Sequence, residues 1–334
     1  MKFRSAWSVL VAAGVVGVLA GPGRGATANP GDLTVTEYWN TRVMLAPSGG
    51  NPNPAPYTAS AFASQGLSYR AQELAWDTSG THLYVLKAGN SQSNPAAIVR
   101  YTRTGAFDGY FLGPYATAGI PSGAALCISG NSLFLVGADS LDTKGIALEY
   151  DLSMSDPNGA PKSVVVNKAF DRAVGITASP VTGHVFVSSS ATNNVYEYAR
   201  SGDAWEQVGS PFGAGIMTLT HGLTCDASGN LYAVAETQGR VVQFTPSLSG
   251  WTVGHTYTGL TQPDAVTIGP DGGLYVADYG SNKVVRFDTS VSGTGTPFIT
   301  GLSGPVGVSF VTPEPATLTL LALGGLAVLR RRRK

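Results

Sequence analysis

Between its two ends, this 334-residue sequence has almost no helix-period pattern, only two cysteines and only four histidines. Without apolar residues spaced three and four apart, the central part of the chain is predicted to be built of strands. It also contains no Cys-x-x-Cys pair, no phosphate-cradling glycine loop and no Gly-x-Ser-x-Gly elbow. The most specific sequence evidence for a metal site, a nucleotide site or a serine hydrolase is therefore missing.

Basic residues are scarce in the central part of the chain. Eight of the 21 basic residues but only one of the 21 acidic residues lie outside residues 29–312, which leaves that segment with a net charge of −7 in a neutral chain. Because proteins that bind a nucleic-acid backbone need a positive face, the composition argues against nucleic acid as a partner. A segment of about 280 residues is long enough for one domain with a sizeable core.

The N-terminus has the pattern of a secretory signal peptide. Lys2 and Arg4 precede an uncharged apolar run over residues 6–20, and the small residues Ala26 and Ala28 follow. The run is shorter than the roughly 20 residues of a membrane span, so a retained anchor is the weaker alternative. We expect residues 1–28 to be removed by cleavage after Ala28.

The C-terminus has three features in fixed order. A Pro313-Glu314-Pro315 motif is followed by uncharged residues 316–329 and then by a basic cluster: Arg330, Arg331, Arg332, Arg333 and Lys334. The apolar stretch would make about 21 Å of helix, short of the ~30 Å hydrocarbon core, and the basic cluster would stay on the cytoplasmic side.

Residues 311–334 resemble the PEP-CTERM sorting signal. The resemblance implies transient membrane insertion and processing by an exosortase, a membrane cysteine transpeptidase. A plain tail anchor is the alternative. The two ends together predict export across the cytoplasmic membrane, with the C-terminus anchored before processing, and delivery to the cell surface or an extracellular matrix.

Between the ends, a phrase of short strands recurs and predicts the fold. The second strand of each unit begins at an equivalent apolar residue, and the spacings between them are 50, 50, 52, 46 and 43: Leu33, Leu83, Leu133, Val185, Leu231 and Leu274. Periods of 40–50 with several short strands per unit are typical of a β-propeller. An unpaired first strand at residues 304–310 and unpaired second and third strands after residue 33 predict one composite blade. We expect an all-β, six-bladed propeller over residues 29–310.

The repeats resemble NHL-type repeats, to which the streptogramin lyase and gluconolactonase-like propellers are also similar. The resemblance is best at residues 263–287, which contain an Asp-Gly turn, Leu-Tyr-Val-Ala-Asp and Asn-Lys-Val. It implies the fold far more than an activity. Gluconolactonase-like proteins hold a metal at the channel with several carboxylate and amide oxygens.

The residues that open the first strands should surround the central channel and are the candidate ligand positions. They are Gln72, Ser122, Val174, His221, Asp264 and Val306, with Glu73, Asp171 and Arg172 nearby. One sure carboxylate falls short of the six or more oxygens that a hard cation needs, so we expect no metal or other cofactor, a divalent cation being the weaker alternative. His221 and Asp264, at equivalent positions on adjacent blades, are the sole catalytic candidates, as a base oriented by a carboxylate. The alternative is a structural hydrogen-bonded pair at the channel mouth.

Other polar, aromatic and sulfur-containing residues have a structural interpretation. The acids at the ends of second strands are expected to accept backbone N–H bonds: Glu37, Asp139, Glu236 and Asp278. Four tryptophans scattered over different blade positions are expected to pack at blade edges, although they could stack on sugars: Trp39, Trp76, Trp205 and Trp251. Cys127 and Cys225 are offset by one position on non-adjacent blades and are expected to be free thiols.

Two functions remain open from the sequence. The first is an exported, non-enzymatic propeller that binds an extracellular protein or a polysaccharide. The second is a lyase or lactonase-like enzyme that acts at the channel mouth through His221 and Asp264.

Overall fold

A computed structural model describes residues 27–46, 60–63, 67, 70–89, 96–113, 122–138, 144–155 and 160–311. The expected signal peptide up to residue 26, the sorting motif after residue 311 and Asp139 lie outside these ranges. Within them no helix is long and apolar enough to cross a membrane.

The strands form six antiparallel sheets, which are the blades. Blade 1 contains β1 (Leu33–Glu37), β2 (Arg42–Ala46) and β3 (Ser60–Ala63). Blade 2 contains β4 (Ala71–Trp76), β5 (His82–Lys87), β6 (Ala97–Thr102) and β7 (Phe107–Leu112). Blade 3 contains β8 (Ser122–Ser129), β9 (Ser132–Ala138), β10 (Lys144–Asp151) and β11 (Ser163–Asp171).

The second half of the chain repeats this pattern more regularly. Blade 4 contains β12 (Ala173–Ala178), β13 (Val185–Ser189), β14 (Asn194–Ser201) and β15 (Ala204–Phe212). Blade 5 contains β16 (Thr220–Cys225), β17 (Leu231–Ala235), β18 (Arg240–Ser247) and β19 (Gly250–Thr258). Blade 6 contains β20 (Pro263–Ile268), β21 (Leu274–Asp278), β22 (Lys283–Phe287) and β24 (Thr296–Ile299). The two-residue β23 (Gly293–Thr294) lies between β22 and β24 in the chain but joins the sheet of blade 5, where it pairs in parallel with β19.

The last strand, β25 (Pro305–Phe310), completes blade 1 by pairing with β1. Val35 lies opposite Val308 and Leu33 lies opposite Phe310. The six inner strands then contact one another around a closed ring. The predicted six-bladed propeller and its composite blade are confirmed, and the sheet edge that an open ring would expose is paired.

Alternating side chains of each strand bury one blade against the next. One core cluster joins Leu86 and Ile98 of blade 2 to Leu135 and Leu148 of blade 3. Another joins residues of blades 5 and 6, among them Val234 and Val276. Because each blade supplies half of two interfaces, the apolar pattern of the repeat is satisfied only when the ring is complete.

The inner strands all begin on the same face of the ring, which we call the upper face. Short turns between second and third strands lie there too, including 3₁₀ helices at Glu236–Gln238 and Tyr279–Ser281. Each helix ends at a left-handed residue, Gly239 or Asn282, so the chain reverses within a few residues. The upper face therefore carries compact loops close to the channel.

Two polar clamps join neighbouring blades near the outer strands. In blade 4, Trp205 donates its indole N–H to Ser163 Oγ (3.0 Å) and Glu149 Oε2 (3.3 Å) of blade 3. In blade 5, Trp251 donates to Glu197 Oε2 of blade 4 at 2.9 Å. The two tryptophans pair with equivalent partner positions of β14 and β18, so the expectation that all four tryptophans occupy different blade positions is wrong for this pair.

Glu149 is the centre of the first clamp, and its side chain is only 2% exposed. Burial alone would raise its pKa, but hydrogen bonds from four side chains lower the pKa to about 2: Ser163, Ser132, Lys162 and Trp205. The guanidinium of Arg200 also pairs with it and lies 4.7 Å from the Trp205 ring. A buried charge is tolerated here because each of its lone pairs has a donor.

The structure also bears on the expected cleavage site at Ala28 and on the two cysteines. Ala28, the residue expected to precede the cleavage site, is fully buried, and its N–H and carbonyl both bond to Arg103. Cleavage after Ala28 would remove these contacts from the propeller. Cys127 and Cys225 are both free, as predicted.

Candidate functional site

The register of the inner strands defines one equivalent residue per blade at the upper end of the channel. In each blade, the inner-strand residue that pairs with the third residue of the second strand is taken as equivalent. Leu223, which pairs with Ala233, and Leu126, which pairs with Leu135, are two examples. Two positions earlier lies a set that we call the mouth ring: Gln72, Ala124, Val174, His221, Asp264 and Val306. Ser122, expected in this set, lies two residues before Ala124, because β8 is paired further toward the upper face.

Gln72 connects two blades rather than facing an open site. With the nitrogen of its amide turned toward blade 3, it donates to the carbonyl oxygens of Gly123 (2.8 Å) and Ala124 (3.3 Å). These bonds satisfy backbone groups at the point where the two inner strands meet. Val174 and Val306 supply no polar atom to the mouth ring, since their side chains are aliphatic.

His221 lies between two carboxylates. Its Nδ1 is 3.5 Å from Asp264 Oδ1, and its Nε2 is 3.1 Å from Glu236 Oε2. The three side chains are partly buried, with 25%, 34% and 19% of their surface exposed. The structure thus brings together the predicted pair and adds Glu236, which was expected only to accept backbone N–H bonds.

The charges around His221 determine its protonation. Burial opposes the charged ring, but the hydrogen bond and charge of Asp264 and the charge of Glu236 outweigh it and raise the pKa of His221. Burial and the nearby Asp264 also raise the pKa of Glu236, against the charges of His221 and Arg172. An imidazolium with a carboxylate at each nitrogen is favoured, and such a ring has no lone pair with which to accept a substrate proton.

Arg172 and Glu73 occupy different levels of the channel. Arg172 stands two residues before Val174, is exposed, and has a left-handed backbone with φ 51°. Glu73 stands one residue below Gln72, inside the channel. Neither residue is a member of the mouth ring itself, although the charge of Arg172 reaches the His221 cluster.

Two of the acids at second-strand ends bind backbone N–H groups, as predicted. Asp278 accepts from Thr261 (3.0 Å) and Gln262 (2.9 Å), and Glu37 accepts from Ser303 at 2.9 Å. These carboxylates fix the connections that lead into the inner strands. Over the part of the chain that the structure describes, no group of three or more His, Cys, Asp or Glu side chains is arranged to hold a metal ion.

Three of the four candidate tryptophans pack within the fold, and one does not. Trp76 is buried and donates to Thr34 Oγ1 at 3.1 Å, while Trp205 and Trp251 belong to the blade clamps. Trp39, in the turn after β1, is 63% exposed on the upper face. The turn that holds it has the same length and the same left-handed last residue as the turns that end at Asn193, Gly239 and Asn282, so the residue type alone distinguishes this position.

Trp39 forms an aromatic platform with Tyr38 and Tyr279. Its ring centroid is 4.9 Å from that of Tyr38 and 6.2 Å from that of Tyr279. A Cβ on Gly304, which has φ +62°, would come within 2.8 Å of Trp39 and 2.9 Å of Tyr279, so both rings rest on its bare backbone. The guanidinium of Arg70 lies 4.6 Å from the centre of the Tyr38 ring.

Comparison with known proteins supports the sorting signal and the fold. Residues 311–334 match the family profile of the PEP-CTERM protein-sorting motif. This motif implies export, C-terminal membrane anchoring before processing, and recognition by an exosortase. Comparison with curated protein sequences gave no significant match.

Solved structures with the same fold cover most of the chain. One chain of a nidogen–laminin complex has a TM-score of 0.64 at 18% identity and covers 85% of this chain and 99% of its own. A candidate 6-phosphogluconolactonase from Bacteroides uniformis ATCC 8492 has a TM-score of 0.58 at 15% identity, with 84% and 99% covered. One from Bacteroides fragilis NCTC 9343 has a TM-score of 0.56 at 13% identity, with 84% and 97% covered. At these identities the likeness shows the fold alone. The chain is therefore a six-bladed β-propeller followed by a PEP-CTERM segment.

Proposed function

We propose that this exported propeller binds a neutral polysaccharide of the cell surface or matrix through the aromatic platform of its upper face. The exposed Trp39 ring, which lies against Tyr38 and Tyr279 on the upper face, is the observation that carries the proposal. The sorting segment supplies the location, because it directs the chain to the membrane from which an exosortase releases or transfers it.

Contacts within the fold restrain the rings of the platform before any ligand arrives. Trp39 meets Tyr38 edge to face, Gly304 lies beneath the ring, and Glu37, just before the platform, is tied to the N–H of Ser303. A ring that is already fixed loses little conformational entropy on binding, so most of the contact energy remains for the ligand. Sugar rings present apolar C–H faces that stack on such a surface, and their hydroxyls find polar partners at its edge.

The charge of the domain favours a neutral ligand over an acidic one. Residues 29–312 carry a net charge of −7, which repels a polyanion at low ionic strength. Arg70 is the basic group at the platform, and its guanidinium is stacked on Tyr38. A neutral polysaccharide therefore fits this face better than a uronate-rich one or a nucleic acid.

The test uses exopolysaccharide from the producing organism, divided into neutral and acidic fractions by ion exchange. It compares how tightly each fraction binds to the purified exported protein. Trp39→Ala should weaken binding of the neutral fraction by about 2 kcal/mol, or roughly 30-fold, as truncation of a central aromatic anchor does. Leu248→Ala is the matched control, because Leu248 is also an exposed apolar residue but lies in the turn between β18 and β19. Equal binding by the Trp39 variant, or binding of the acidic fraction alone, contradicts the proposal. Equal binding by the Trp39 variant would instead favour a protein ligand.

A lyase or lactonase at the channel mouth is the second candidate, since His221 and Asp264 do meet there. The arrangement supports it less well, because both nitrogens of His221 face carboxylates, which favour the charged form of the ring. Turnover of 6-phosphogluconolactone by the wild-type protein that is lost in His221→Asn would favour the enzyme. We expect no turnover by either protein, and no bound divalent ion by elemental analysis.

A further inference from the structure

The lower half of the central channel is a cavity of about 290 Å³. All six inner strands line it, from Glu73 at the upper end to Trp76 and Phe310 at the lower end. Its size is near the lower limit for small-molecule sites. The cavity is separate from both the aromatic platform and the His221 cluster.

One small side chain per blade forms a ring around this cavity. Three positions after the mouth ring lie Ala75, Cys127, Thr177, Thr224, Thr267 and Ser309, which we call the inner ring. Four of the six carry hydroxyl groups, and none of these hydroxyls bonds to another residue in the described ranges. Four hydroxyls from four different blades thus line one space, where a ligand can reach them.

Glu73 is the one long side chain at the upper end of the cavity. The equivalent residues of three other blades are Gly175, Gly222 and Gly307, where a Cβ would meet the backbone of the next inner strand. Glu73 Oε1 accepts the N–H of Leu74 at 3.2 Å, and among the described residues no Lys, Arg or His pairs with the carboxyl. Burial is the main reason that the pKa of Glu73 rises to about 8.

We propose that the cavity binds a small protonated amine that also carries hydroxyl groups, with the ammonium on Glu73 and the hydroxyls on the inner ring. An ammonium group brings the positive charge that the carboxyl lacks, and its N–H donors match carboxylate and hydroxyl oxygens. A hard metal ion is a poorer match, because it needs six or more oxygens and the site offers one carboxylate. Two residues along a strand span roughly 6.6 Å, so the ligand must reach from one level to the next.

Binding of a cation should be linked to release of the Glu73 proton. Two other titratable groups face this carboxyl: Asp264, whose negative charge helps to raise its pKa, and Cys127, whose own pKa is raised by burial so that it stays a neutral thiol. Neither group supplies a positive charge. Below pH 8 each bound cation displaces about one proton, so the affinity should rise about tenfold per pH unit.

The experiment titrates the purified exported protein with ethanolamine and, as a neutral probe of the same size, ethylene glycol. Calorimetry at pH 6.0, 7.0 and 8.0 should show ethanolamine binding that tightens with pH and releases a proton, and no binding of ethylene glycol. Glu73→Gln should weaken ethanolamine binding at least about tenfold, the loss expected for a charged hydrogen bond. Asp203→Asn, an exposed acid in the turn between β14 and β15, is the control and should bind as the wild type does.

If Glu73→Gln fails to fold, Thr267→Val serves in its place, because it replaces one hydroxyl of the inner ring by a methyl of the same shape. That variant should weaken ethanolamine binding several-fold while leaving polysaccharide binding unchanged. Equal affinity for the two probes, no pH dependence, or unchanged binding in both variants overturns the proposal. Because the readout is amine binding, failure here leaves the aromatic platform standing, and failure of the Trp39 test leaves the cavity standing.

Discussion

Glu149 is buried and Glu73 is partly buried in the channel, yet their pKa values move in opposite directions. Glu149 lies near the rim of the ring, where five side chains from blades 3 and 4 donate to it, and its pKa falls to about 2. Glu73 lies at the centre, where only backbone N–H groups reach it, and its pKa rises to about 8. Burial pushes both values up, so the number and charge of the donors decide the sign.

The comparison separates stabilising polar groups from groups that are available to a ligand. At the rim each lone pair of the carboxylate is occupied, and the arrangement holds two blades together. In the channel, four hydroxyls have no hydrogen bond to another described residue, and the Glu73 carboxyl receives only backbone N–H groups. A charge on this carboxyl therefore does not stabilise the fold. The His221 cluster falls between these cases, because its charges are balanced by one another.

The largest expected effect comes from breaking the rim. Glu149→Ala should lower the free energy of unfolding by about 3 kcal/mol, because it leaves Arg200 and Lys162 without their carboxylate partner and removes the acceptor of the Ser132 and Ser163 hydroxyls. Urea unfolding at pH 7 measures the change. Glu206→Gln, at an exposed acid on β15, should stay within about 0.5 kcal/mol of the wild type. A loss no larger than this control would mean that the clamp contributes nothing.

The pH dependence of that loss follows from the pKa of Glu149. The folded value, about 2, lies below the ordinary value of 4.5, so the contribution is fully present above pH 5 and disappears as the pH falls toward 2. The difference in free energy of unfolding between the wild type and Glu149→Gln should therefore become smaller as the pH falls from 5 to 2. A gap of constant size from pH 6 to pH 2.5 would show that charge is not its source.

Removing the Glu73 charge from the channel should raise the free energy of unfolding, whereas removing the Glu149 charge should lower it. Glu73 has a folded pKa of about 8 against an ordinary value of 4.5, so the wild type loses stability as the pH rises from 4.5 to 8. Glu73→Gln should remove this loss and be more stable than the wild type by roughly 1–2 kcal/mol at pH 9. Thermal unfolding at pH 5 and pH 9 makes the comparison. If Glu73→Gln is less stable than the wild type at pH 9, the ionised Glu73 carboxyl is compensated by the fold, and the prediction is wrong.

A milder change at the rim sharpens the comparison. Trp205→Phe keeps most of the ring packing against Phe134 but removes the N–H that bonds to Ser163 and Glu149. The expected loss is about 1 kcal/mol, and the matching Trp251→Phe change should cost a similar amount because it loses one N–H bond to Glu197. Denaturant midpoints of both variants test whether the two clamps are equivalent.

The smallest effect is expected at the channel mouth. His221 has a raised pKa in the folded protein, so its stabilising contribution is present below its unfolded pKa near 6.5 and is lost as the pH rises through the folded value. His221→Asn should therefore lower the melting temperature more at pH 5.5 than at pH 9, by an amount worth about 0.5 kcal/mol. A larger loss at the higher pH would point to a neutral, base-like histidine.

The repeat spacing predicted the number of blades and the composite blade because each strand must alternate apolar residues toward two neighbours. The position of Ser122 was harder to predict, since β8 is paired two residues further than the repeat implies. The blade clamps were also hidden, because equivalent third-strand positions hold different polar residues: Arg100, Glu149, Glu197, Gln243 and Arg286. The 46-residue separation of Trp205 and Trp251, equal to the spacing of Val185 and Leu231, was the available signal.

The aromatic platform and the inner ring depend on contacts that no local pattern records. Tyr38 and Tyr279 are about 240 residues apart in the chain and meet only because β25 closes the ring onto β1. The unused hydroxyls of the inner ring follow from strand register, which shifts at a bulge in several inner strands. A one-residue error in register would have pointed them into the blade interfaces instead.

The most direct test of the central contrast is a carboxyl carbon NMR titration of the exported protein with labelled glutamate, assigned through Glu73→Gln and Glu149→Gln. The account predicts one resonance that titrates near pH 8 and is lost with Glu73, and one that titrates near pH 2 and is lost with Glu149. Two resonances that both titrate near pH 4.5 would show that the channel carboxyl is as well solvated as the surface, and would contradict it.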